Sequence, residues 1–288
     1  MRERKIAAAP ISWGVSEVPG WGAQLAIDRV LDDAKRLGFR AIEAGPPGFL
    51  PSDPGDAARA LDSRGLRCVG GFVTAVLHDR SRRDAELASV ERQARSLRAL
   101  GAEVLVLAAA TGQEGYEERT ELTADEWTAL FEMLPFVEAI AGSAQLETVV
   151  HPHVGTVIEQ PSDIARVLAR SGVALCLDTG HVFVGGGDPA AIARSAGRRV
   201  RHVHLKDADA ALSDAVRQRR VSYAAAVQQG LFRPLGDGAA RISDVLTELR
   251  SNGYAGWYVL EQDVALKDAK ADPLPAIERS LTFVSARV

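Results

Sequence analysis

Short runs of β-branched and aliphatic residues alternate along the chain with longer stretches rich in Ala, Leu and Arg. Bounded by turn residues, the short runs predict eight strands, at 6–13, 41–44, 66–72, 104–108, 148–151, 173–178, 200–205 and 257–261. The longer stretches place apolar residues at helical spacing, as at Ala26, Val30, Ala34 and Leu37, and close on Gly38; Gly101, Gly172 and Gly253 repeat that stop signal. Thr123 with Glu126 three residues on, and Ser162 after Pro161, read as helix starts. Strand and helix thus recur every roughly 30 to 40 residues, and eight such units predict a closed parallel α/β barrel, the (β/α)8 TIM barrel, as a single domain over residues 1–288. A doubly wound open sheet needs fewer strands and a glycine-rich phosphate turn after the first, which Trp13-Gly14-Val15-Ser16 does not supply. One connection is unusually long. From about 207 to 241 a polar, partly helical loop follows the seventh strand on what a barrel makes its catalytic face, where long loops act as lids or substrate walls.

The last four predicted strands end in residues that bind divalent metals: Val150-His151-Pro152-His153, Leu177-Asp178-Thr179-Gly180-His181, His202-Val203-His204-Leu205-Lys206-Asp207 and Val259-Leu260-Glu261. Strand ends meet on one face of a parallel barrel, so His151, Asp178, His204 and Glu261 are predicted to hold one divalent ion through two imidazoles and two carboxylates. Five of the six histidines fall between 151 and 204, which strengthens the reading. Alternation along a strand puts residues two apart on the same side, so His202 lies below His204 and reads as a hydrogen-bonded core residue. Asp178 has a second reading as the N-cap of the next helix, with Gly180 making the turn. Glu261, after an apolar run in a barrel without edges, reads as a buried carboxylate that needs a cation.

Charge changes the picture only by exclusion. A formal net charge of −4 and 25% charged residues give no concentrated basic face for nucleic acid. Clusters such as Arg80-Ser81-Arg82-Arg83 sit among acidic residues and read as solvated. The start, Met1-Arg2-Glu3-Arg4-Lys5, leads into too few apolar residues for a signal peptide, and no run approaches the roughly 20 residues of a membrane span, so a cytoplasmic protein is expected. Cys68 and Cys176, inside apolar runs, read as buried inert thiols.

These motifs, together with Ala9-Pro10-Ile11-Ser12-Trp13, Pro234-Leu235-Gly236-Asp237-Gly238 and the stretch from Gly256 to Asp263, make the chain resemble the xylose-isomerase-like TIM-barrel superfamily of metal-dependent sugar isomerases, epimerases and dehydratases, and within it the inosose (2-keto-myo-inositol) dehydratase family. The resemblance spans nearly the whole chain and is strongest in the second half. It implies a small polyol or keto-sugar as substrate, a divalent metal with Mn2+ or Co2+ favoured and Zn2+ or Mg2+ acceptable, and a homo-oligomer. The epimerases and isomerases of the superfamily carry a Glu at the fifth-strand position that here is His151, which favours dehydration over the alternative of isomerisation or epimerisation. The histidine two residues beyond that ligand serves as general base in a related dehydratase branch, which carries over to His153.

The implied chemistry is removal of a proton next to a ketone by His153, followed by loss of a β-hydroxyl as water with His181 or Lys206 as the donor. Trp13, Glu43 and Asp237 are the expected substrate-binding residues, with a structural salt bridge as the other reading of Glu43. The first half departs from the family pattern: Gly14-Val15-Ser16-Glu17 follow Trp13 where acidic residues usually come sooner, and Gly70-Gly71-Phe72 stand where a Lys is common. A metal-dependent endonuclease on the same barrel would need more ligands and a basic groove, and a sugar-binding barrel without turnover would not need this set of ligands and acid/base groups.

Overall fold

A computed structural model describes residues 5–288. The charged start Met1-Arg2-Glu3-Arg4 lies outside the described residues. In chain order the strands are β1 (Ile6–Ala8), β2 (Ala41–Ile42), β3 (Arg67–Cys68), β4 (Gly70–Ala75), β5 (Val104–Ala109), β6 (Glu147–Val150), β7 (Ala174–Asp178), β8 (Val200–Leu205), β9 (Asp207–Ala208), β10 (Phe232–Arg233) and β11 (Tyr258–Leu260). Nine of them form one parallel ladder in the order β3-β2-β1-β11-β8-β7-β6-β5-β4. Its two ends are halves of the third predicted strand. Between them the Val69 N–H donates to the Ile42 carbonyl at 3.1 Å, and the Val69 carbonyl accepts from the Glu103 N–H at 3.2 Å, which closes the ring. The predicted (β/α)8 barrel is therefore what forms, and the open sheet is excluded.

Alternation then sorts the side chains. On β7, Leu175 and Leu177 pack outward against the helices while Cys176 and Asp178 point inward; on β8, Val203 and Leu205 face out and His202, His204 and Lys206 face in. Inward Val104, Val106, Val149 and Cys176 fill one part of the interior, and Ala7, Ala41, Val69 and Val259 another. These apolar residues form the floor on which the polar strand ends stand.

Some boundaries differ from the sequence reading for local reasons. The first strand stops at Ala8, because Pro10 has no N–H for a ladder and opens a 3-10 turn, Pro10–Trp13. Thr123 and Glu126 cap the helix Ala124–Ser143 reciprocally, as expected. Ser162 is not a cap: the helix Pro161–Arg170 starts after Gln160, whose N–H donates to the Asp163 carboxylate at 2.9 Å. The 207–241 connection is more structured than a polar loop, with helices Ala210–Arg217 and Tyr223–Gln228 and an antiparallel β9–β10 pair. A separate apolar cluster, including Trp21, Val154, Tyr223, Leu231 and Phe232, seats it on the barrel mouth. Among the described residues no helix is long and apolar enough to cross a membrane, and Cys68 and Cys176 are free and buried as read.

Candidate active site

The register delivers the four predicted ligands to one place. Asp178 pairs with His204 across β7 and β8, His151 follows β6 directly, and Glu261 follows β11 with its N–H on the Leu205 carbonyl. His151 Nε2 lies 3.1 Å from His204 Nδ1, and Asp178 Oδ2 lies 3.7 Å from the first and 3.6 Å from the second. Glu261 Oε2 lies 2.5 Å from His204 Nδ1, and one ligand atom from each of the four residues falls within 4.8 Å of the others. Asp178 fills both of its readings, one with each oxygen. Oδ1 accepts from the His181 N–H at 2.7 Å and caps the helix Thr179–Val184, while Oδ2, fully buried, has no hydrogen-bond partner. Glu261 Oε2 is likewise buried without a well-aligned hydrogen bond. Two buried carboxylate oxygens without hydrogen-bond partners face two ring nitrogens that bond to each other, a donor set that suits a divalent ion, since ligands about 2.0–2.3 Å from one centre stand roughly 3–4 Å apart.

Behind this cluster Glu43 Oε1 lies 2.8 Å from His202 Nε2 and 3.1 Å from His204 Nε2. Burial alone would raise the Glu43 carboxyl, but His204 and His202 outweigh it and hold the group well below the usual carboxylate range. Glu43 thereby fixes the His204 ring so that Nδ1 faces the other ligands, a carboxylate–histidine arrangement common behind metal sites. Glu43 makes the buried ionic contact of one expected reading and also borders the cleft beside the cluster. His202 is fully buried and bonded to Glu43, as read.

Lys206 lies inward beyond His204 and is fully buried. Its Nζ is 2.7 Å from Asp263 Oδ1, 3.0 Å from His181 Nε2, 3.2 Å from Glu261 Oε1 and 3.4 Å from Asp178 Oδ2. The contacts to His181 and Glu261 are hydrogen bonds and the two aspartates complete an ionic enclosure, so the ammonium is surrounded by protein groups. Burial works against its charge, but Asp178, Asp263 and Glu261 hold its pKa above the ordinary lysine value. His181 accepts from Lys206, and its ring packs on His153 with centroids 3.7 Å apart. The His153 Nδ1–H donates to the Val154 carbonyl at 2.7 Å, which leaves Nε2 with its lone pair. Burial, with His151 and Lys206 nearby, pushes His153 down to about 3 and keeps the ring neutral.

Two motif glycines are explained by close approach. A Cβ on Gly155 would fall 2.2 Å from the Tyr116 carbonyl oxygen, and one on Gly180 2.5 Å from Lys206 Cγ. Because Nζ is pinned, the Lys206 stem has no room to yield. Gly180→Ala is therefore expected to destabilise the protein by about 1–3 kcal/mol, the range for overpacking, read from the midpoint of a denaturant titration. An unchanged midpoint would mean that Lys206 is free to move.

Residues 31–285 match the family model described as xylose isomerase-like TIM barrel. The chain belongs to the xylose isomerase-like TIM barrel family. Among its relatives, an inosose dehydratase of Geobacillus kaustophilus is 30% identical over 270 residues, covering 90% of this chain and 87% of that one. Among solved structures, the probable 3-DHS dehydratase AsbF of Bacillus anthracis superposes with a TM-score of 0.74 at 14% identity, over 99% of this chain and 100% of that one. The IOLI protein, crystallised with a zinc atom bound, gives 0.71 at 14% identity, over 99% of each chain. The two structures show the fold; the relative shows how far along the chain the likeness runs.

In this xylose isomerase-like barrel the cluster of predicted ligands opens into a cleft of about 220 Å³ whose lining includes His151, His153, His204 and Glu261. Glu17 and Phe72, from the two stretches that depart from the family pattern, line it, and sequence reasoning missed its other walls Trp21, Tyr116, Tyr223 and Asp263. Asp263 carries a signal that could have found it, lying two residues beyond Glu261 and on the same side of the chain. Phe72, from the departing Gly70-Gly71-Phe72 stretch, packs on His151 and His153 with centroids 5.8 and 5.7 Å away. The aromatic loop residues had no periodic pattern to reveal them.

Two expected substrate contacts lie elsewhere. Trp13 is fully buried in the layer between barrel and helices, because the turn at Pro10 rolls it inward. Asp237 is exposed and paired with Arg279. The segment around Asp237 instead wraps the Asp207 carboxylate, which accepts from the N–H groups of Ala208, Gly236, Gly238 and Ala240 at 2.9–3.1 Å. That motif is a brace for the mouth of β8.

Proposed function

We propose that the protein is a cytoplasmic, metal-dependent dehydratase of a keto-cyclitol such as 2-keto-myo-inositol. The observation that carries the reading is the convergence of His151, Asp178, His204 and Glu261 beside a neutral His153 whose Nε2 is free in the same cleft. The inosose dehydratase relatives support the substrate class, and two free buried cysteines fit a reducing compartment. A divalent ion held by the four ligands supplies Lewis-acid stabilisation of negative charge on a ketone oxygen. The zinc atom bound by the IOLI protein, a barrel of the same fold, supports a metal in this one; Mn2+ or Co2+ is favoured here and Zn2+ or Mg2+ acceptable, although raw affinity favours Zn2+ over Mn2+.

The protein's own groups divide the remaining work. His153 Nε2 takes the proton from the carbon next to the ketone, and the C–H electron pair passes into an enolate. As that pair forms the new C=C bond, the β-hydroxyl leaves and receives the proton from the same imidazolium, so one water is lost and His153 returns to neutral. Lys206 and His181, the donors expected from the sequence, are not part of the cleft lining and bond to each other behind His153. Glu43 keeps the His204 ring oriented.

The test is a metal-free preparation reloaded with Mn2+ or Co2+ and offered 2-keto-myo-inositol, following ultraviolet absorbance of the dione and α-proton exchange by NMR. Metal-dependent dione formation is the expected result. Exchange without water loss would replace the dehydratase with an isomerase or epimerase of a related keto-polyol. No change of either kind would remove this substrate.

A further inference from the structure

The connection after β8 brings into the cleft wall a hydroxyl whose direction is fixed. Tyr223, only 3% exposed, donates its O–H to Asp263 Oδ2 at 2.7 Å, and Asp263 Oδ1 lies 2.7 Å from Lys206 Nζ. Lys206 is itself held by His181, Glu261 and Asp178, so its charge keeps the Asp263 carboxylate in place, and the phenol hydrogen is committed to that carboxylate. The ring is held too. The Tyr223 N–H donates to Glu117 Oε2 at 2.8 Å, and Trp21 packs against the ring with centroids 6.2 Å apart.

A phenol with its only hydrogen committed to a carboxylate presents an acceptor and nothing else. The group opposite must then be a donor, a hydroxyl rather than a carbonyl or carboxylate. Tyr223 lies on the wall of the general base, its ring centroid 6.3 Å from that of His153. The other phenol of the cleft, Tyr116, is directed instead to Glu17 at the exposed rim.

We infer that Tyr223 determines specificity: its oxygen accepts a hydrogen bond from a substrate hydroxyl outside the reacting ketone and its neighbours, so the substrate class is a polyol with a free hydroxyl beyond those carbons. This rests on the keto-polyol reading above and names the feature of the substrate that selects it. Lys206 and Asp263 act through Tyr223 as positioning residues.

The experiment compares metal-loaded wild type and Tyr223→Phe on 2-keto-myo-inositol and its monodeoxy analogues, each lacking one non-reacting hydroxyl. Calorimetric binding of myo-inositol, which has no ketone and cannot react, is measured alongside. The wild type is expected to lose at least about 10-fold in kcat/KM for one analogue, as sites built to bond a hydroxyl do. Tyr223→Phe is expected to show a similar loss on the parent substrate, no further loss on that analogue, and weaker myo-inositol binding. The variant keeps the ring, and a matching thermal midpoint checks its fold. An active wild type whose ranking of the analogues is unchanged in Tyr223→Phe overturns this inference alone. A wild type that neither turns over nor binds any of these polyols overturns the proposed function and this inference with it.

Discussion

Asp178→Asn is expected to abolish metal loading and turnover while leaving the fold intact. The side chain has two separable duties: Oδ1 accepts from the His181 N–H at 2.7 Å, and Oδ2 faces His151 and His204 without a hydrogen-bond partner. An amide oxygen can keep the first contact. The amide nitrogen then takes the place of Oδ2, where it offers neither a charge nor a lone pair to a cation and sets its hydrogens against Lys206 Nζ, 3.4 Å from that position. Changes in the groups behind a metal ligand cost roughly 10–100-fold in affinity, so the loss of a direct ligand should exceed that. Metal content after dialysis and an unchanged circular dichroism spectrum are the readouts. Full metal occupancy in the variant would show that Asp178 is a cap and no more.

His153→Ala should separate chemistry from metal binding. His153 is not among the four clustered ligands, and its ring bonds only through Nδ1 to the Val154 carbonyl. Removing a positioned general base costs about 10²–10⁴-fold in kcat, and here the same ring also returns the proton, so the upper part of that range is expected. Metal content should match wild type, and α-proton exchange should vanish along with dione formation. If exchange persists while water loss stops, another group removes the proton and His153 serves only the leaving hydroxyl.

The closing of the ring at Val69 and the packing of Trp13 mark two different limits on what the sequence shows. Alternation of apolar residues was enough to give the barrel, because strands buried on both faces show it directly. It was enough as well to select His151, Asp178, His204 and Glu261, since period two carries each inward side chain from the apolar floor to the mouth. It did not show that Pro10 ends the first strand early and turns Trp13 into the outer layer, nor that Gly236-Asp237-Gly238 folds around Asp207 instead of a ligand.

By itself, then, the sequence determined the parallel barrel, the face that carries the chemistry and the four groups that meet there, because each follows from local periodicity and the chain order of strands. The tertiary structure alone decided the rest. Which nitrogen of His204 faces the cluster depends on Glu43, 161 residues away in sequence. That Lys206 is enclosed by protein groups depends on four partners from two strand ends, those of β7 and β11. Tyr223 comes to the cleft on a connection whose position is set by packing against Trp21 and Val154. Hydrogen-bond capacity is shared among residues that are distant in the chain, and only folding brings the competing donors and acceptors within reach of one another.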